Sequence, residues 1–143
     1  MNKKRIASLF LMPLLSLPVY ADNHRSPAPS AAEVYIISPA EGATVSNPVK
    51  VQFGLKGMGV APAGVEKENT GHHHLLIDTD PASLDMNQPL PATDLVRHFG
   101  GGQTEVELTL PAGDHSLQLL LGNFMHVPNA QPVMSNKITI HVK

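Results

Sequence analysis

Apolar residues recur at every second position in this chain, in short runs cut off by proline and glycine. Val49, Val51, Phe53 and Leu55 alternate with Lys50, Gln52 and Gly54. Thr104, Val106, Leu108 and Leu110 alternate with Glu105, Glu107 and Thr109. His115, Leu117, Leu119 and Leu121 alternate with Ser116, Gln118 and Leu120, and Ile138, Ile140 and Val142 with Lys137, Thr139, His141 and Lys143. Successive side chains of a strand point to opposite faces, so a period of two predicts half-buried strands. Glu33–Ser38, closed by Pro39, and His72–Asp78 complete a set of six. Pro39-Ala40-Glu41-Gly42 and Pro111-Ala112-Gly113-Asp114 read as turns. Helical periodicity is missing, apart from single turns at Glu66–Asn69 and at Ala82–Met86, where Pro81 after Asp80 suits a helix start. Six short strands with turns between them predict an all-β fold, an immunoglobulin-like antiparallel β-sandwich, with a small barrel as the alternative. The chain has no Cys and no Trp, so the disulfide-and-tryptophan core of antibody domains is excluded.

At 143 residues the chain has room for one core and not for two. Residues 1–21 read as a signal peptide: a basic start (Lys3, Lys4, Arg5), an apolar run from Ile6 to Val19, and Val19-Tyr20-Ala21 as a cleavage site. The run is too short, and too broken by Pro13 and Pro18, for a transmembrane anchor. Residues 22–32, rich in Pro, Ser and Ala, are expected to be a flexible lead-in, and 33–143 the single domain. A periplasmic or secreted location follows. All 12 acidic residues lie after Ala21 and three of the ten basic ones before it, so cleavage deepens the net charge from −2 to −5. A phosphate backbone needs a basic face, so nucleic acid is excluded as a partner. The lack of cysteine excludes thiolate catalysis and iron–sulfur or blue-copper centres.

All eight histidines lie beyond Ala21. In Gly71-His72-His73-His74-Leu75-Leu76-Ile77-Asp78 the alternation sends His73 to the core with Leu75 and Ile77, and His72 and His74 to the other face. Two imidazoles about 6.6 Å apart along a strand can converge on one metal ion, given a third ligand from a neighbouring loop. His98-Phe99-Gly100-Gly101-Gly102 is a tight loop entering a strand, without a phosphate-loop pattern. It is similar to the oxyanion loop of lipase-like hydrolases, yet the chain contains no G-x-S-x-G. Gly122-Asn123-Phe124-Met125-His126-Val127-Pro128 joins two strands, with Met134 after it, and Met58 lies in a further loop. Thioether sulfur suits Cu(I), although a methionine more often fills a core. Cleavage after Ala21 would also leave Asp22-Asn23-His24, whose amine, amides and imidazole form a square-planar nitrogen set.

The chain resembles an uncharacterised bacterial exported family, domain of unknown function 4399. The resemblance is carried by Gly57-Met58-Gly59-Val60-Ala61-Pro62-Ala63-Gly64, by Glu68 to Asp78, by His98 to Thr104, by Leu119-Leu120-Leu121-Gly122, by His126-Val127-Pro128 and by Pro132-Val133-Met134-Ser135. It covers nearly all of the chain after about residue 34, departing over Asn123 to Met125. It implies that His72, His73, His74, His98 and His126 belong to shared motifs, while His24, His115 and His141 do not. It implies no function.

The expected function is an exported domain with a His-based transition-metal site, Met-assisted by Met58 or Met134, copper ahead of zinc. His72 and His74 are primary ligands, completed by His98 or His126, with His73 a further candidate. The first alternative is a structural or protein-interaction module, with another envelope protein as partner. The second is a His-dependent or metal-assisted hydrolase drawing on Asp78 or Glu68.

Overall fold

A computed structural model describes residues 24–143. The expected signal peptide, and Asp22 and Asn23 of the N-terminal nitrogen motif, lie outside the described residues. Nine strands follow in order: β1 (Glu33–Ser38), β2 (Thr44–Val45), β3 (Val49–Lys56), β4 (Gly59–Val60), β5 (Thr70–Ile77), β6 (Val96–His98), β7 (Glu105–Leu108), β8 (Gly113–Gly122) and β9 (Ile138–Val142). A single 3-10 turn, Pro81–Ser83, is capped by Asp80, whose carboxylate accepts from the Ala82 N–H at 2.9 Å. The six expected strands are all present. Three further strands, β2, β4 and β6, have only two or three residues each, too few to carry a period.

The strands form two sheets. One is antiparallel, in the order β1-β3-β7, with Val51 opposite Val106. The other runs β2-β9-β8-β5-β4, with β6 also on β5. It is antiparallel except where β2 runs parallel to β9 and β4 parallel to β5. β8 lines one edge of β5, pairing His72 to Ile77 with Gly122 to Leu117. The opposite edge is divided between β4, at Thr70–Gly71, and β6, at His74–Leu76.

One core lies between the sheets. Val34, Val49, Val51, Phe53 and Leu108 of the first sheet meet Leu75, Ile77, Leu117, Leu119, Leu121, Ile140 and Val142 of the second. These are the residues that the alternation assigns to one face, and burying each stabilises by about 1.5–3 kcal/mol. The second sheet is covered on its outer face as well: Leu76 and Leu120, which alternate away from this core, are buried. Leu90 and Val127 are buried too, and the Leu90 N–H donates to the His126 carbonyl at 2.9 Å. β5 is therefore buried on both faces, as the apolar Leu75-Leu76-Ile77 run permits.

The described part of the expected lead-in, residues 24–32, is tied to the domain. The Asn123 side chain donates to the His24 carbonyl at 2.7 Å, the Arg25 guanidinium to the Asn129 carbonyl at 3.1 Å, and the Ala130 N–H to the Ser26 carbonyl at 2.9 Å. Among the described residues no helix is long and apolar enough to cross a membrane.

Candidate metal centre

β5 puts the His72 and His74 rings on the outer face of the second sheet, with centroids 4.8 Å apart. Both residues are fully buried. On one flank, β8 places Gly122 opposite His72. A side chain there is excluded, because a Cβ on Gly122 would lie 2.5 Å from His74 Cε1. On the other flank, β6 sets His98 opposite His74, the centroids 5.9 Å apart.

The fourth ring comes from the loop after β8, and Asn123 shapes that loop. The Asn123 N–H donates to the Val127 carbonyl, and the His126 N–H to the Asn123 carbonyl, both at 2.9 Å. Asn123 Oδ1 accepts from the Met125 N–H at 2.9 Å and the Val127 N–H at 3.1 Å. The closed loop holds His126 at φ 65°, in the left-handed region, which costs a non-glycine residue about 1–2 kcal/mol. Such strain gathers where a side chain must be aimed. His126 Nδ1 lies 2.9 Å from His72 Nε2, and its ring centroid is 4.8 Å from that of His98.

His72, His74 and His126 each offer a ring nitrogen, and these three nitrogens lie within 4.8 Å of one another. No carboxylate joins this group among the described residues. Burial pushes the His72 pKa down to about 4, helped by repulsion from His126, His98 and His73. Burial pushes His74 down to about 2, helped by His72, His126 and His98. Burial, then His98, lowers His126. The rings are thus neutral, the state in which imidazole binds a metal. His72 Nδ1 and both nitrogens of His74 are buried without a hydrogen-bond partner. Each such group costs about 1–3 kcal/mol, and a bound cation removes that cost at the one lone-pair nitrogen it takes from a ring, the other nitrogen keeping its N–H.

The other candidates lie elsewhere. His73 faces the core, its centroid 5.2 Å from that of Phe53, which packs on Phe99. Burial lowers its pKa to about 4, against a smaller upward pull from the backbone of Gln103 and Gly54, although neither meets hydrogen-bond geometry. Met58 lies, as expected, in a loop, the bend between β3 and β4, but its side chain packs, partly buried, against the inter-sheet core. Met134 is bridged to Leu120 and borders a surface groove with Glu33 to Ile36. Asp78 is engaged at 2.7 Å both by His115 Nδ1 and by the Ser116 N–H. Glu68 lines a separate groove with Glu66 and Lys67. His141 pairs with Asp114 at 2.7 Å. The alternation singles out His72 and His74 but is silent on Asn123; its sequence signal is an Asn placed directly after a glycine at a strand end.

Fold and cluster together define a small, nearly all-β domain with neutral histidine rings gathered under the cover of one sheet. The family model described as Domain of unknown function (DUF4399) matches residues 51–143, and the chain belongs to that family. Neither the curated proteins nor the solved structures contain a match to the chain.

Proposed function

We propose that this is an exported domain, periplasmic or secreted, that binds a transition-metal ion through His72, His74 and His126, copper ahead of zinc. The carrying observation is the gathering of three neutral ring nitrogens within 4.8 Å, two of the rings fully buried and holding unpartnered nitrogens. Export rests on the reading of residues 1–21. The two facing sheets suit an immunoglobulin-like sandwich, a scaffold on which loops at a sheet end carry function.

Copper is favoured because, among divalent first-row ions, it binds nitrogen ligands most tightly. The methionines are not part of this reading, because Met58 packs against the inter-sheet core and Met134 is exposed on a groove beside Glu33 to Ile36. The test is titration of the untagged, processed protein with Cu(II), Cu(I) and Zn(II), beside a folded variant in which His72 and His74 are alanine. Tight one-to-one binding, lost in the variant, is expected. Equal binding by both proteins would end the reading.

A further inference from the structure

We propose that the ion held by His72, His74 and His126 keeps one coordination position open toward the His98 side, where a small exogenous anion completes its shell. The inference rests on the metal reading above and concerns what that site does with its ion.

Three protein nitrogens fall short of the four ligands of a closed structural site and match the pattern in which the remaining position goes to water or substrate. His98 is the nearest further donor, yet it stays outside the converging group. Its centroid is 4.8 Å from that of His126 but 6.5 Å from that of His72, and it is exposed where His72 and His74 are buried and His126 is half-buried. It stands at the rim of an open cleft with Thr93, Asp94, Val96 and Arg97. The remaining sides of the cluster are filled by the β5 backbone, by β8 at Gly122 and by the loop that Asn123 folds around His126. The free position therefore faces the cleft.

Charge says what fills it. The ring nitrogens that converge on the site come from His72, His74 and His126, and no carboxylate joins them among the described residues. A divalent ion on three neutral rings keeps its full double charge in a buried place, which is costly without a counter-charge. One anion entering from the cleft in place of a water ligand cancels half of it. The chemical class is a small monodentate anion, as azide or hydroxide are. Nothing is oxidised or reduced; one ligand leaves the ion as another arrives.

The experiment loads the processed protein with Cu(II), verifies one ion per chain by elemental analysis, and titrates azide while following its charge-transfer absorption. A saturating band is expected in the loaded protein, and the same band in a loaded His98→Ala variant. Loaded protein that shows no band, with or without a band in His98→Ala, overturns the open position and leaves the metal reading standing; a band confined to His98→Ala would identify His98 as the fourth ligand. Failure to take up Cu(II) at all overturns both.

Discussion

The imidazoles of His72 and His126 meet nitrogen to nitrogen at 2.9 Å across 54 residues of chain. One belongs to a central strand, where ladder pairing fixes its direction. The other belongs to a loop, where direction must be built. The building is done by Asn123, which spends its side chain on the loop's own N–H groups and on residues 24–26.

Replacing Asn123 by alanine should therefore cost more than an ordinary loop substitution. It leaves the buried Val127 N–H, and the more accessible Met125 N–H and His24 carbonyl, without their partners, and a buried group left unpaired costs about 1–3 kcal/mol. Residues that orient ligands typically account for about 10–100-fold in metal affinity. Urea unfolding and metal-binding calorimetry on Asn123→Ala should show both losses. Unchanged affinity in a stable variant would show that His126 is aimed by something else.

Gly122→Ala tests the flank formed by β8. The added methyl would lie 2.5 Å from His74 Cε1 and 3.3 Å from the His126 backbone, so the ring must turn away. Forcing an extra methyl into a packed site costs about 1–3 kcal/mol. Here the displaced group is a ligand, so loss of Cu(II) binding should exceed what the fall in stability explains. Titration under strongly folding conditions, well below the urea midpoint, measures it.

Much of this was legible in the residues themselves. The two-residue period located four of the long strands and short apolar runs the other two, and alternation along His72–Asp78 sent His72 and His74 to one face of β5 and His73 to the other. It could not show that the outer face is covered, because the cover comes from segments without a period: the stretch carrying Leu90 and the loop carrying Val127. Nor could it show β6, whose three residues bring His98 beside His74. Met58 sits in a stretch that reads as a loop, yet its side chain reaches the core. Local pattern does not record such long-range packing.

The pH dependence of the ion-free protein follows from burial of neutral rings. His72 and His73 fall from 6.5 to about 4, and His74 to about 2. Below pH 6.5 the unfolded chain takes up protons that the folded chain refuses, so stability falls as the solution is acidified. Each histidine contributes about 1.4 kcal/mol per pH unit between its unfolded and folded values. His115 opposes this in a different range: its bond to Asp78 raises its pKa, so its contribution is lost as pH rises through that raised value. Urea midpoints in the presence of a chelator should drop steeply from pH 6.5 to 4. The bound ion should persist below pH 6.5, because the ligand rings stay neutral there. Release centred at 6.5 would mean that the ligands are exposed.

Substituting leucine at His73 and at His74 separates a metal site from a structural ring network. Each residue is buried with both ring nitrogens unpartnered, so each stands in the fold at a cost. Removing a buried polar group that has no partner, and filling its space with an apolar side chain, is close to neutral or stabilising. Both variants, freed of metal, should therefore match or exceed the parent in urea midpoint and lose part of its acid sensitivity. They should part company on adding Cu(II). His73→Leu, on the core face beside Phe53, should bind as the parent does, and His74→Leu, on the cluster face, should bind at least about tenfold more weakly. That divergence is what a functional residue kept against stability produces. If His74→Leu instead loses several kcal/mol in the absence of metal while His73→Leu does not, the rings on the outer face hold the fold together in their own right, and the ion is not what they are for.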